Sequence, residues 1–202
     1  DESQYAEMAS NQVGGELSII DITHKDFEEH LRDVIYHLDF PVAGPGSFPQ
    51  FMVSKLAAQN VKVVLGGQGG DEIFGGYARY LLAYFEQCIK AAIEGTYKNG
   101  DFLVTIESIV PNLGLLREYK PMMRQFWREG LFGSLEDRYF RLVDRSSDME
   151  AEIDWSQLNK ESVYESFRGI FLCQANVRKE AYFDQMTHFD FKCLLPALLQ
   201  VE

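Results

Sequence analysis

Apolar residues recur along this chain in two different rhythms, and the alternation between them sets the expected order of elements. Tyr5, Met8, Ala9 and Val13 fall at helical spacing, so the pattern predicts a helix over about 2–13, closed by Gly14-Gly15. The run Leu17 to Ile22 switches to β-branched residues, with Ile19, Ile20 and Ile22, and predicts a short strand. Thr23 ends that run as an N-cap, and Asp26 three residues on resembles a capping box. Phe27, Leu31, Val34, Ile35 and Leu38 then line one face of a second helix.

The segment Pro41 to Gly46 cannot continue that helix and reads as a loop. Ser47 caps the next element, in which Phe48, Phe51, Met52 and Leu56 predict an amphipathic helix over 48–59. Val61-Lys62-Val63-Val64-Leu65 is a second β-branched run bounded by polar and glycine residues, and predicts a strand. Tyr77, Tyr80, Leu81, Tyr84, Phe85, Cys88, Ile89, Ala92 and Ile93 form a long helical stripe whose aromatics read as core packing. Further helices are expected over 101–110, 115–130 and 158–192, with Arg145 to Glu152 as a surface connection. Two strands separated by helices place the chain in the α/β class: a partial open parallel sheet with a predominantly helical remainder, in one domain.

Composition narrows the partners. With 46% hydrophobic residues and 13% aromatics the chain carries enough apolar material for a packed core. Its formal net charge of −12 repels polyanions, so neither nucleic acid nor an anionic membrane surface is an expected partner. No run is long and apolar enough for a membrane span, and a cytoplasmic location is expected. Cys88, Cys173 and Cys193 have neither disulfide-framework nor zinc spacing and read as reduced thiols. His30 and His37 share a helix face but match no metal-ligand spacing, and read as structural. The chain starts without Met and stops inside the apolar segment Leu198 to Val201, so it is expected to be an internal piece of a longer protein.

The segment Gly66-Gly67-Gln68-Gly69-Gly70-Asp71-Glu72-Ile73-Phe74-Gly75-Gly76-Tyr77-Ala78-Arg79-Tyr80 carries the candidate chemistry. A glycine turn at the end of a strand lets bare backbone approach a nucleotide closely. Asp71 and Glu72, opening the next element, can satisfy exposed N–H groups or offer oxygen ligands to Mg²⁺ on a phosphate chain. A Walker A loop is excluded because Asp71 stands where Lys is needed, and a dinucleotide fingerprint because Glu72 stands where Gly is needed. Taken as an isolated cluster, the glycines read first as a tight strand-to-helix turn with the acids as its caps. Arg79, one turn on, has two open readings: a structural partner of Asp71 or Glu72, or a phosphate contact.

The full string resembles the S-G-E-G-x-D-E-x-F-G-G-Y-x-R-Y signature of the asparagine synthase family. His37 to Pro41 with Ser47-Phe48-Pro49 is similar to that family's H-x-D-E-P…S-x-P-x-Y stretch. Tyr182, Asp184, Phe189-Asp190-Phe191-Lys192 and Leu194-Leu195-Pro196 resemble its Y-L-D-L-K-x-x-L-P segment. The resemblance covers residues 1–85 and 176–202, and between them it is helical texture only.

The resemblance implies that residues 1–202 are part of a synthetase domain whose fold is of the adenine nucleotide alpha hydrolase-like kind. It implies ATP and Mg²⁺ as cofactors, and aspartate or a related carboxylate as the substrate to be adenylated. The nitrogen would be ammonia delivered by a glutaminase domain of the parent chain, and a homodimer is among the partner expectations. Gly66, Gly67, Gln68 and Gly69 would form the nucleotide- and pyrophosphate-binding loop, with Asp71 as a Mg²⁺ ligand shared with an upstream acid and Glu72 and Arg79 in support. Three departures stand out: Gly66 for the usual Ser, Gln68 for the usual Glu, and Gly44 where the family has Asp. Gln68 can hydrogen-bond but cannot act as a base, which leaves a second reading open: a divergent nucleotide-binding relative with another substrate or a non-amidating role. The isolated chain is expected to be inactive. A different ATP-pyrophosphatase, acting on tRNA or forming argininosuccinate, is disfavoured by the acidic charge and the F-G-G-Y-x-R-Y tail.

Overall fold

A computed structural model describes residues 3–38, 46–96, 106–173, 175, 177–178 and 181–201. The chain divides into two compact units, one of residues 1–66 with 198–202 and the other of residues 67–197.

The first unit holds helices α1 (Ser3–Val13), α2 (His24–Leu38) and α3 (Ser47–Ala57). The start of α2 is fixed by the reciprocal cap that the sequence announces. The backbone N–H of Thr23 donates to the Asp26 carboxylate at 2.9 Å, and that of Asp26 donates to the Thr23 hydroxyl at 3.3 Å. A small core of Val34, Phe48 and Met52 joins α2 to α3, with Ile20, Leu38 and Phe51 packed against it. His30 and His37 both face the Phe51 ring, at centroid distances of 6.0 and 6.1 Å, and so pack between helices. No group of three or more potential metal-ligating side chains exists among the described residues.

The expected sheet is not there. Among the described residues there is no strand, and the fold is helical throughout, which overturns the α/β assignment and its partial parallel sheet. Residues 17–22 and 61–65 run without regular secondary structure, and apart from Ile20 their large apolar side chains face solvent: Ile19 is 57% exposed, Val63 79% and Leu65 95%. The physical reason is that β-propensity measures how well a side chain fits a pleated, half-buried surface and gives no such surface by itself. Neither run pairs with a neighbour among the described residues, and without a ladder the backbone has no strand to join. The expected loop at 41–46 and the motif positions Asp39 to Pro41 and Gly44 lie outside the described residues, apart from Gly46.

The second unit begins with α4 (Gly70–Phe74) and α5 (Ala78–Glu94), followed by α6 (Ile106–Ile109), a 3-10 stretch over Val110–Tyr119 and α7 (Lys120–Phe126). Then come α8 (Leu135–Val143), α9 (Lys160–Phe171) and α10 (Tyr182–Val201), the last carrying Pro196 in its interior. The aromatic part of the α5 stripe is core, while Ala92 and Ile93 at its end are exposed: Tyr80, Tyr84 and Cys88 of α5 are buried with Leu135 and Tyr139 of α8, Phe167 and Phe171 of α9, and Met186 and Phe189 of α10. The aromatic rings interlock. Phe167 meets Phe189 edge-on at 4.8 Å and Phe171 nearly parallel at 5.0 Å, geometries worth about 0.5–1.5 kcal/mol each beyond the area they bury.

The helix expected over 158–192 is two, α9 and α10, and that over 115–130 is a 3-10 stretch followed by α7. Of the helix expected over 101–110, residues 101–105 lie outside the described residues. Helix α8 was not anticipated, although Ser134 caps it through the Asp137 N–H at 3.3 Å.

Candidate functional site

The glycine-rich segment enters the second unit as a tight turn. The N–H of Gly70 donates to the Gly67 carbonyl at 3.2 Å, and Gly69 has φ of +93°, a left-handed conformation that a side chain would strain. The turn opens α4, which runs five residues and stops at Gly75, where φ is +75° and the N–H returns to the Asp71 carbonyl at 2.8 Å. The N–H of Gly76 also returns to the Asp71 carbonyl, at 3.0 Å.

The glycines fall into two groups by what surrounds them. A Cβ on Gly69 would lie 3.3 Å from Leu195, one on Gly75 2.4 Å from Phe183, and one on Gly76 1.9 Å from the Asp71 carboxylate. Packing leaves no room for a side chain at Gly75 or Gly76, and at Gly69 the left-handed backbone is the stronger restriction. A Cβ on Gly67 or Gly70 would meet nothing within 4 Å. At those two positions the lack of a side chain leaves open space, and the adjoining Gln68 is exposed.

The acids that follow have separate environments. Asp71 is exposed, with its carboxylate turned over Gly76. Glu72 is 2% exposed and accepts a hydrogen bond from the Tyr77 hydroxyl at 3.0 Å. Burial, and then this bond to Glu72, push the Tyr77 phenol up to about 12. Glu72 is therefore held inside the second unit by a tyrosine, while Asp71 remains accessible.

Arg79 makes its ion pair with Asp190, and not with Asp71 or Glu72. Its guanidinium lies 3.7 Å over the Tyr77 ring and donates to the Asp190 Oδ2, from Nε at 3.0 Å and from Nη2 at 2.5 Å. Asp190 is fully buried and also accepts from the Tyr80 hydroxyl at 2.5 Å and the Tyr139 hydroxyl at 2.7 Å. Burial, reinforced by the Asp190 carboxylate, pushes both phenols well above the ordinary tyrosine value, so both remain donors. All four contacts converge on Oδ2, and Oδ1 is buried without a partner among the described residues. Sequence reading placed Asp190 in a motif without a role. Its burial and its partnership with Arg79, 111 positions away, carry no local signal.

The family model for asparagine synthase matches residues 1–202, the whole chain. The chain belongs to the asparagine synthase family. Among individual relatives, an asparagine synthetase [glutamine-hydrolyzing] 1 of Saccharomyces cerevisiae is 51% identical over 65 residues, 31% of this chain and 10% of the yeast protein. A putative asparagine synthetase [glutamine-hydrolyzing] of Mycobacterium tuberculosis is 42% identical over 74 residues, 36% of this chain and 11% of that protein. An asparagine synthetase [glutamine-hydrolyzing] 1 of Bacillus subtilis is 39% identical over 59 residues, 29% of this chain and 9% of its own length. The matched segments thus span about a tenth of these relatives. No solved structure matches the chain. No helix among the described residues is long and apolar enough to cross a membrane.

Within this asparagine synthase family chain, a Mg²⁺ bound to phosphates suits the donor set at the glycine turn. Mg²⁺ keeps several waters and takes one or two protein carboxylates together with substrate oxygens, so a single exposed acid beside an open turn meets its requirement. Of the two acids Asp71 is the one placed to offer such an oxygen, since Glu72 is buried and engaged with Tyr77.

Proposed function

We propose that the protein is an ATP-dependent ligase that activates a carboxylate, with aspartate as the first candidate, and couples it to ammonia drawn from glutamine. The observation that carries this reading is the open space at Gly67 and Gly70 beside the exposed Asp71, in a chain of the asparagine synthase family. A carboxylate is a poor electrophile, so its oxygen first attacks the α-phosphorus of ATP and pyrophosphate leaves. Ammonia then attacks the acyl carbon, a proton is lost, and AMP leaves with the carboxyl oxygen.

In this scheme the backbone at Gly66, Gly67, Gln68 and Gly69 lies along the nucleotide, where a side chain at Gly67 would intrude. Asp71 would hold, through its carboxylate, a Mg²⁺ accompanying the triphosphate, which when bound would supply positive charge against that growing on the departing pyrophosphate. Gln68 orients a reacting group by hydrogen bonding and takes no proton. The reaction needs ATP and glutamine, which fits a cytoplasmic setting, and an ammonia source elsewhere in the whole protein. The isolated 202-residue chain is accordingly expected to form no asparagine.

The test is pyrophosphate release by the whole protein with ATP, Mg²⁺ and glutamine, screening aspartate against other carboxylic acids. Release with aspartate and formation of asparagine support the reading, and release with a different acid alone replaces the substrate while keeping the reaction class. The amide at position 68 favours one second reading, a nucleotide-binding relative that does not amidate aspartate. Under it Gln68→Glu would create glutamine-dependent asparagine formation that the native protein lacks.

A further inference from the structure

We propose that Asp190 is a positioning residue for Asp71, acting through Arg79 and Tyr77 to fix the short helix on which Asp71 stands. This inference rests on the nucleotide-binding reading above and assigns a role to a buried cluster which that reading leaves unused.

Helix α4 is too short to hold itself in place, since five residues close barely more than one turn. Its position comes from α10, which touches the turn and α4 at two points and the start of α5 at a third. Leu195 lies under Gly69, the ring of Phe183 occupies the space beside Gly75, and Asp190 grips Arg79. Leu195 and Phe183 act by shape alone. Asp190 acts by charge: buried completely, it draws three donor side chains, Arg79, Tyr80 and Tyr139, onto one oxygen. The Arg79 guanidinium, fixed by that carboxylate, presses on the Tyr77 ring at 3.7 Å. Tyr77 in turn donates to Glu72, the residue adjoining Asp71. The chain of contacts from Asp190 to Asp71 is therefore continuous, and every member from Glu72 to Asp190 is buried or half-buried. Groups that orient a metal ligand from behind change metal affinity when removed without touching the metal themselves.

The test uses calorimetric titration of the whole protein with Mg·ATP and, separately, with ATP in EDTA. Asp190→Asn is expected to weaken Mg·ATP binding by up to about tenfold, the lower end of the scale for partners that touch a metal ligand directly, because Asp190 acts on Asp71 through intervening side chains. Binding of metal-free ATP should be unchanged, a distinction that a general loosening of the fold would not produce. In the double variant with Asp71→Asn the loss should not exceed that of Asp71→Asn alone, because both act on one ligand. Native-like Mg·ATP binding by folded Asp190→Asn, an equal loss for metal-free ATP, or additive losses would each overturn the inference. If Asp190→Asn does not fold, Tyr77→Phe cuts the same path at its hydroxyl and leaves the ion pair intact. The same metal-specific loss is expected there, and unchanged binding overturns the proposal. Should the unaltered protein bind no Mg·ATP, the nucleotide reading itself falls, and this inference with it.

Discussion

Gly75 presents its bare Cα to the ring of Phe183 so closely that a methyl group there would sit 2.4 Å from Cζ. The neighbouring Gly76 has an equally specific occupant, since the Asp71 carboxylate fills the place its side chain would take. The pair of glycines is thus a consequence of two contacts, one that seats α4 on α10 and one that folds an acid back over its own helix.

Gly75→Ala should destabilise the protein by about 1–3 kcal/mol, combining overpacking against Phe183 with a side chain at positive φ. Urea denaturation measures this. Phe183→Ala in the same background should recover part of the loss, because it removes the clash and leaves the strain. A Gly75→Ala protein as stable as the native one would mean that the ring moves aside without penalty.

Gly67→Ala makes the contrasting case. Open space surrounds that position, so the substitution should leave stability within about 0.5 kcal/mol, as for ordinary surface changes. Under the proposed function it should still weaken Mg·ATP binding, by intruding where the nucleotide lies. Native stability with native binding, measured by denaturation and calorimetry on one preparation, would remove Gly67 from the binding loop.

Local rules made half of this molecule legible. The cap of Thr23 and Asp26 and the aromatic stripe of α5 needed only three- and four-residue spacing, and both are as expected. The cap of α8 by Ser134 was equally local, and its serine followed three residues on by Asp137 was the signal available to find it. The β-branched runs misled because a strand is a relationship with another strand, and Val61 to Leu65 find none among the described residues. At the site, the glycine turn could be read from the sequence, but not the exposure that separates Asp71 from Glu72, nor the absence, among the described residues, of the strand expected before it. The sorting of Glu72 to Tyr77 and of Arg79 to Asp190 could not, because it is decided by how α5, α8 and α10 pack. The overlooked interior pair of Arg138 and Glu86 is of the same kind.

That pair supports a further prediction. Arg138 is 2% exposed and grips Glu86 with two bonds, Nε to Oε1 at 2.6 Å and Nη2 to Oε2 at 2.8 Å, while also donating to the carbonyls of Phe126 and Glu129. Arg138→Met leaves a buried carboxylate without its counter-charge and should cost about 3–5 kcal/mol in thermal or urea unfolding. Adding Glu86→Leu should restore part of this by removing the stranded charge. Recovery should stay incomplete, because the Phe132 N–H that also donates to Glu86 at 3.2 Å loses its acceptor.

The Tyr77 phenol offers a test by pH. Its ordinary value is 10.0, and burial together with the bond to Glu72 raises it to about 12 in the folded protein. The folded state therefore holds this proton more tightly than the unfolded chain does. Below the ordinary value both states keep the proton, and the contribution to stability is fully present. As pH climbs from about 10 towards 12 the unfolded chain releases its proton first, so stability falls across that window. Tyr77→Phe should flatten this part of the stability profile and remove one late step from the phenolate absorbance titration. Tyr164, likewise raised to about 12 by its bond to Asp137, still titrates late in the Phe variant, so a late phase of undiminished amplitude there would show that the Tyr77 hydroxyl is not held by Glu72.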